Sequence, residues 1–414
     1  MTTTAPFPAA LSTADKLAHR LADPATIWPD GRPEGCRAWP QSLAGGASGI
    51  ALLHVERARS GHGDWGLAHR WVADAVRGEI SAADNANLYF GAPALAFLVH
   101  RAANASARYR QLLDRLDAAT AAVTRRRLDA AGRRIAVGVR PPMEEFDLIQ
   151  GLTGLAAYHL SRHGDAEITR AVLAYLVRLT EPLTDPVGLP PWWMDVAPTG
   201  TVSADFPGGH GNFGLAHGIG STLAVLSLAR LHGVHGSGLT EAVERICAWT
   251  DRWRQGDESS PWWPGLISPE QTIAGCVAPE LRPRPSWCYG SSGTARAQQL
   301  AGLALGDPTR VRTAETALLA TLRDPAQLEM LPEIGLCHGQ AGLLQAAWRM
   351  SAETGNAEIA AELPTLTERL IAALDEPRHD PELLDGTAGA ALALHTLGTN
   401  QATAPHWDTF LALA

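Results

Sequence analysis

The chain of 414 residues lacks the features of several large protein classes. Its five cysteines are an odd number and widely spread, which excludes a disulfide framework and fits a reducing compartment. The N-terminal segment has no basic stretch followed by an apolar one, and no window long enough to cross a bilayer is apolar throughout. We therefore expect no secretory signal, no membrane span and a cytoplasmic protein.

The chain has no excess of positive charge: acidic residues outnumber basic ones, and the formal net charge is −9. Nucleic-acid binders usually carry a basic stripe, so this balance argues against that class. One stretch, residues 101–140, is locally basic and has a helical pattern. We interpret it as a solvated helix face, with a dock for an acidic peptide as the alternative. Hydrophobic residues make up 46% of the chain, which is enough for a substantial core.

Glycine is abundant and recurs in one pattern. In five segments a glycine is followed three residues later by a second glycine and an apolar helical run. Two related segments have Ala94 and Ser221 at the second position. The first glycines of the seven segments are Gly46, Gly91, Gly151, Gly218, Gly290, Gly339 and Gly386. Their spacings of 45, 60, 67, 72, 49 and 47 residues each leave room for two helices, which indicates a repeat architecture.

The apolar runs after the glycines predict inner helices, because many are apolar nearly all round. The stretches between them, such as 241–253 and 362–376, are more mixed and suit outer helices with one wet face. Almost nothing has the alternating pattern of a β-strand. The sequence therefore predicts an all-α protein, an α/α toroid of about seven inner and seven outer helices. We expect one domain over 1–414, with longer insertions in regions 100–145 and 185–285.

Reactive side chains precede several glycines at equal offsets. Cys288 and Cys337 lie two positions before a first glycine, whereas His217, His338 and Asp385 lie one position before. Equal offsets in equivalent repeats place these residues on one rim of the ring. Two thiolates and one imidazole are a standard zinc set that leaves a fourth position open. Cys288, Cys337 and His338 therefore predict a catalytic zinc; buried thiols and a core histidine are the alternative.

Two aspartates near these glycines have a simpler explanation, because an aspartate before a helix is commonly its cap. We assign that role to Asp385. Asp147, four positions before Gly151, is assigned instead to orienting or neutralising His217. An imidazole can serve as a general acid or base near neutral pH.

The tryptophan pairs at 192–193 and 262–263 lie in the long middle insertions. They either line a channel for an apolar peptide or anchor buried loops, and both interpretations stay open.

Three motifs resemble the lanthionine cyclase family, the LanC-like proteins. They are SWCYGSSG (286–293), CHGQAG (337–342) and GLAHGIG (214–220), and the likeness covers nearly the whole chain. The resemblance implies an α/α toroid with a central zinc that installs thioether rings in a ribosomally made peptide. The second glycine of the fourth repeat, which the family usually has, is Ser221 here.

The resemblance also implies roles by matching position. It makes Cys288, Cys337 and His338 the zinc ligands and makes Asp147 and His217 candidate acid–base residues. Two further residues match family positions near the metal: Arg284 and Tyr289.

The implied chemistry explains these residue types. The family's substrate holds a cysteine and a dehydroalanine or dehydrobutyrine. A free thiol has a pKa near 8.5, so little is ionised at neutral pH, and zinc binding deprotonates it. The thiolate adds to the dehydro residue, and His217 or Arg284 stabilises the resulting enolate. We expect two partners, a dehydrated precursor peptide with a leader and a separate dehydratase, because no dehydratase segment is visible in the chain.

Other functions use similar residues. Glutathione-type addition of another thiol, or a zinc-stabilised scaffold that binds peptides or thiols, fits the same ligand set. A protein prenyltransferase fits less well, because its ligands follow the order Asp-x-Cys…His rather than Cys…Cys-His.

Overall fold

The computed structural model describes residues 7–28, 35, 37, 39–103, 107–183, 188–375, 379–400 and 406–414. Regular structure in these ranges is almost entirely helical. The helices are α1 (Pro8–Arg20), α2 (Pro24–Ile27), α3 (Ala47–Arg59), α4 (Trp65–Ala75), α5 (Ala92–Ala103), α6 (Arg110–Ala136), α7 (Met143–Phe146), α8 (Leu152–His163), α9 (Glu167–Leu179), α10 (Ile219–Leu231), α11 (Leu239–Asp251), α12 (Pro269–Ala274), α13 (Ser291–Leu305), α14 (Pro308–Leu322), α15 (Pro325–Glu329), α16 (Gln340–Thr354), α17 (Ala357–Ala373) and α18 (Thr387–Thr399).

Extended structure is limited, in the described ranges, to two short antiparallel strands and a few isolated bridges. The strands are β1 (Gly211–Asn212) and β2 (Leu266–Ile267), with Gly211 opposite Ile267. Single 3₁₀ turns occur at Ala107–Tyr109, Pro279–Leu281 and Trp407–Leu411. None of the described helices is both long and apolar enough to reach across a bilayer.

All seven glycine segments start helices, as predicted. Six first glycines are N-cap residues, and α5 follows the seventh. These starts are crowded: a Cβ at Gly46 would overlap the carbonyl oxygen of Trp39, and one at Gly290 would overlap that of Arg284. Gly91 instead has φ +76°, a conformation that residues with a Cβ rarely adopt. Glycine is therefore required for the backbones to approach this closely.

The helices that follow the glycines are buried on nearly every side. In α10 every residue from Ile219 to Ala229 is buried, and α18 is similar. The intervening α9 and α11 have one buried and one exposed face. This difference confirms the predicted division into inner and outer helices.

Clustering of contacts divides the chain into two compact units. The first comprises Met1–Thr120 and Leu331–Trp407. Its inner helices are neighbours in the order α5, α3, α18 and α16, and its outer helices α4, α1 and α17 pack on α3, α18 and α16. The sequence did not predict that α1 would cover α18, because this pairing joins the first helix to the last one.

The second unit comprises Ala121–Met330 and Asp408–Ala414. Its inner helices are neighbours in the order α8, α10 and α13, and α9, α11 and α14 pack on them respectively. The segments before α10 and before α13 together form a cluster of buried aromatic side chains: Trp193, Phe213, Trp253 and Trp262. All four tryptophans of the two pairs are buried, so they are loop anchors. The prediction of one continuous domain stays a prediction.

Within each unit, backbone hydrogen bonds join the loops of successive repeats. In each of these bonds the acceptor is the backbone carbonyl oxygen of the residue two positions before the first glycine of a repeat. In the second unit, the Leu148 amide donates to Ala216 O (3.2 Å) and the Ala216 amide to Cys288 O (3.1 Å). In the first, the Cys337 amide donates to Leu384 O (2.9 Å) and the Leu384 amide to Ala44 O (3.0 Å). This ladder aligns the residues that precede the glycines.

Candidate metal centre and acid–base pair

Three side chains form the one group of potential metal ligands found among the described residues. Cys288, Cys337 and His338 each offer one ligand atom, and these atoms lie within 4.8 Å of one another. Cys288 is buried, whereas Cys337 and His338 are partly exposed. Two thiolates and one imidazole are a common zinc donor set and leave the fourth position of a tetrahedral ion open. The chemistry of this donor set fits a metal ion with an open coordination position.

The local backbone explains how these ligands are presented. Cys337 and His338 immediately precede Gly339, the N-cap of α16, so both lie in the loop rather than inside the helix. Cys288 has the equivalent place before α13, and its thiol donates to Ser286 Oγ at 3.6 Å. The neighbouring Trp287 is fully buried, and its indole nitrogen donates to the carbonyl oxygen of Leu411 at 2.9 Å. Packing therefore fixes the Cys288 loop.

Asp147 and His217, 70 residues apart in sequence, form a close pair. Asp147 Oδ2 lies 2.5 Å from His217 Nδ1, and the Asp147 side chain is fully buried while that of His217 is 21% exposed. Asp147 Oδ1 accepts the backbone amides of Gln150 (2.6 Å) and Gly151 (2.8 Å). Asp147 therefore holds the loop that leads into α8 and is also the partner of the imidazole; the N-cap of α8 is Gly151, which has no side-chain cap.

Arginines of α6 hold the loop that carries Asp147. Arg134 forms a forked ion pair with Glu145, with Nε 2.9 Å from Oε2 and Nη2 2.7 Å from Oε1. The Tyr175 hydroxyl donates to the same carboxylate at 2.7 Å, and burial, followed by that carboxylate, raises the pKa of Tyr175. Arg127 donates to the carbonyl oxygen of Gln150. The basic stretch is thus partly a support for the Asp147 loop.

The interpretation of the basic stretch as a solvated face is wrong for two of its arginines. The Arg134 side chain is only 14% exposed. Arg101 is fully buried and forks onto Glu56, with Nε 2.7 Å from Oε1 and Nη2 2.6 Å from Oε2. Arg125, by contrast, is exposed, as the prediction requires. The sequence could not separate these groups, because both share the same charge and helical spacing.

Tyr289 joins the acid–base pair to the Cys288 loop. Its ring stacks on that of His217, with centroids 6.0 Å apart and planes at 28°. The backbone bond from Ala216 to Cys288 connects the same two loops. Arg284 also lies in the Cys288 loop, where its carbonyl oxygen accepts the Ser286 amide at 2.9 Å and its side chain is partly buried.

Asp385 lies beside His338, a contact that the sequence did not predict. The N-cap of α18 is Gly386 and has no side-chain cap, so the assignment of Asp385 as a helix cap is wrong. Asp385 Oδ1 instead lies 3.3 Å from His338 Nδ1, and Arg37 donates to Asp385 Oδ2. The signal was present in the sequence, because Asp385 has the same offset from its glycine as His338.

The other described cysteines lie outside this group of potential metal ligands. Cys247 is buried in α11, and burial raises the pKa of its thiol to about 12. Cys276 is exposed, and Cys36 lies outside the described residues.

The helical repeats and the thiolate–imidazole group define a class of helical protein with a potential metal centre, and the comparisons identify the family. The family model described as lanthionine synthetase C-like protein matches residues 37–412. The chain therefore belongs to the lanthionine synthetase C-like family.

Individual relatives are more distant. The nisin biosynthesis protein NisC of Lactococcus lactis subsp. lactis is 24% identical over 266 residues, which cover 63% of this chain. The match spans only 60% of the length of NisC. A solved structure of nisin cyclase is similar with a TM-score of 0.77 and 20% identity, and the match covers 97% of each chain. This likeness shows the fold, and the predicted all-α class and α/α toroid are confirmed.

Proposed function

We propose that this protein is a zinc-dependent peptide cyclase. It adds cysteine thiols to dehydroalanine or dehydrobutyrine in a ribosomal precursor peptide and so forms lanthionine and methyllanthionine rings. The observation that carries the proposal is the convergence of Cys288, Cys337 and His338 within 4.8 Å. Membership of the lanthionine synthetase C-like family and the names of the two relatives, nisin biosynthesis protein and nisin cyclase, support the reaction class.

Cys288, Cys337 and His338 would hold the zinc and leave one position for the substrate. A bound zinc would lower the pKa of a coordinated substrate thiol and keep it as the thiolate nucleophile. Two cysteine thiolates cancel the double positive charge of the ion. This donor set therefore leaves more electron density on a substrate sulfur than three neutral imidazoles would.

His217 is the proposed proton donor. With Nδ1 turned to the Asp147 carboxylate, its Nε2 is the nitrogen available to the substrate. Asp147 holds the imidazole in one orientation through Nδ1, as the aspartate of a catalytic triad does. Tyr289, stacked on the ring, restricts the orientation of the imidazole.

The proposed ring closure adds the substrate sulfur to a carbon–carbon double bond. The substrate sulfur forms a bond to the β-carbon of the dehydro residue, and the electron pair of the carbon–carbon double bond moves toward the adjacent carbonyl as an enolate. The imidazolium of His217 then gives its proton to the α-carbon, and the proton that the substrate thiol lost on ionisation restores the imidazolium for the next turnover. We assign Arg284 to stabilising the enolate oxygen, because preorganised positive charge acts where negative charge develops.

The proposal includes partners and location. The substrate is a dehydrated precursor peptide with a leader, and a separate dehydratase makes it from serine and threonine residues. We place the protein in the cytoplasm and interpret the chain as a single toroid domain.

The test combines metal analysis with an assay for product. Wild type, Cys288→Ala and His217→Asn are purified in parallel, and zinc is measured per folded chain. Each protein is then incubated with a synthetic peptide that holds one cysteine and one dehydroalanine. We expect about one zinc in wild type and His217→Asn, none in Cys288→Ala, and rapid loss of the free thiol at unchanged peptide mass with wild type alone.

Product mass separates the alternatives. Glutathione-type addition increases the mass by one glutathione, and a prenyltransferase increases it by a lipid. A scaffold binds the peptide and leaves its thiol free. A folded wild-type protein without zinc, purified without chelators, would refute the proposed chemistry.

A further inference from the structure

We propose that Asp385 is a positioning residue that orients the imidazole of His338 for the metal, and that Arg37 holds Asp385 in place. The inference deepens the proposed function and rests on it, because the orientation matters only if His338 is a ligand. All three residues lie within the first compact unit.

The backbone brings the two loops together. The amides of Leu336 and Cys337 both donate to the carbonyl oxygen of Leu384, at 2.7 and 2.9 Å. At Gly335 a Cβ would lie 2.5 Å from the Cα of Asp385, so this approach is closer than any other residue allows. Asp385 is therefore fixed beside the loop that carries Cys337 and His338 before any side-chain contact is considered.

One carboxylate oxygen of Asp385, Oδ1, is buried and has no hydrogen-bond donor among the described residues. A buried carboxylate oxygen without a donor is costly. His338 Nδ1 lies 3.3 Å away, so a small rotation of the ring lets its N–H supply the missing bond. The neutral imidazole then presents Nε2 to the metal, which is the usual arrangement of a histidine ligand with a carboxylate behind it.

Arg37 fixes the other end of the carboxylate. It donates to Asp385 Oδ2 through Nη2 and to Glu382 Oε2 through Nε at 2.8 Å. Burial lowers the pKa of Arg37, but the hydrogen bonds to Glu382 and Asp385 outweigh that effect and the net shift is upward. With Oδ2 engaged by a permanently charged group, Oδ1 is the oxygen left for His338.

The same arrangement occurs at the acid–base pair. His217 and His338 both lie one position before a first glycine, and each has Nδ1 directed at a buried or partly buried carboxylate. In each case the geometry leaves Nε2 for chemistry. The repeat thus places an imidazole and a carboxylate together twice, with Asp147 from the preceding repeat and Asp385 from the following one.

Zinc affinity tests the inference without recourse to activity. Full-length apoprotein is titrated with zinc in competition with a chromophoric chelator, for wild type, Asp385→Ala, Asp385→Asn and Arg37→Met. We expect Asp385→Ala to weaken zinc binding about 10- to 100-fold. Asp385→Asn keeps one acceptor oxygen for two donors, Arg37 and His338, so it should weaken zinc binding by less than Asp385→Ala. Arg37→Met should also lose less than Asp385→Ala.

Glu382→Gln is the matched control, since it alters the other partner of Arg37 and leaves Asp385 intact. It should bind zinc within about twofold of wild type. Circular dichroism and thermal unfolding of the apoproteins verify that each variant is folded. Folded Asp385→Ala with wild-type affinity would overturn the inference and leave the proposed function standing.

Two other results are also decisive. If Asp385→Asn is as weak as Asp385→Ala, and the visible spectrum of the cobalt-substituted protein shows a lost ligand, then Asp385 binds the metal itself and the positioning role is wrong. If wild type binds no zinc, the proposed function fails together with the inference.

Discussion

Replacing Asp147 by asparagine separates the effect of its negative charge on His217 from its hydrogen bonds to the loop before α8. The side-chain oxygen that accepts the amides of Gln150 and Gly151 can be kept by the asparagine carbonyl. The NH₂ group then faces His217 Nδ1, where the carboxylate oxygen lay at 2.5 Å. Two donors cannot share that contact, so the imidazole must move its proton to Nε2.

That change removes both the charge and the correct tautomer of His217. Positioned general acid–base groups typically contribute about 10²–10⁴ in rate, which corresponds to about 3–5 kcal/mol of activation free energy. We therefore expect Asp147→Asn to lower kcat by a factor in that range with little change in zinc content. The stability of Asp147→Asn should change little, whereas Asp147→Ala should also lose about 1–3 kcal/mol of unfolding free energy, because both hydrogen bonds to the loop amides disappear.

The assay is single-turnover cyclisation, followed by alkylation of the remaining thiol and mass spectrometry. The matched comparison is His217→Asn and the double variant. Because the two residues act as one unit, the double variant should be no slower than the slower single variant.

Two results would refute this reasoning. One is a kcat for Asp147→Asn within about threefold of wild type at normal zinc content. The other is a double variant whose rate loss is the product of the two single losses, since that would mean that the residues act independently.

Three further predictions concern the scaffold. Arg134→Met should reduce kcat and leave zinc content unchanged, since it releases the Asp147 loop; Arg134→Lys should restore part of the activity. Burial lowers the pKa of His159 and of His395 to about 3. The unfolded chain therefore binds protons at these histidines more readily than the folded protein does. Their contribution to the free energy of unfolding is complete above pH 6.5 and is lost as the pH falls toward 3. Urea unfolding at pH 5 and pH 8 should show a loss of about 2 kcal/mol per histidine, and a histidine-to-glutamine variant with an undiminished loss would contradict this. Gly342→Ala should cost about 1–3 kcal/mol, because its Cβ would overlap the carbonyl oxygen of Leu336, whereas the open Gly132→Ala should not destabilise.

The helical repeat and the ligand set could be predicted from the sequence for one reason. Both are encoded in the spacing of residues relative to a glycine, and the glycine is required locally because backbones approach closely at each helix start. Equal offsets then place Cys288, Cys337 and His338 on equivalent loops. Burial on all sides of the inner helices follows in the same way from their apolar composition.

The sequence alone did not distinguish buried from solvated charge. Arg101 and Arg125 look alike in the chain, yet one is fully buried on Glu56 and the other is exposed. Which face of a helix meets a neighbour depends on the packing of the whole unit. The partner of α1 depends on it too, because α1 packs on α18 from the opposite end of the chain.

The local sequence determined the helices, their tight glycine starts and the residue types in the loops before the glycines, because these depend on contacts within a few positions. The sequence also suggested that Asp147 acts on His217, but only the tertiary structure decided that Arg37 and Asp385 lie beside His338. The latter contacts join residues separated by as many as 348 positions. Their geometry arises from the stacking of repeats, which aligns loops that are distant in the chain, and no local pattern records the result.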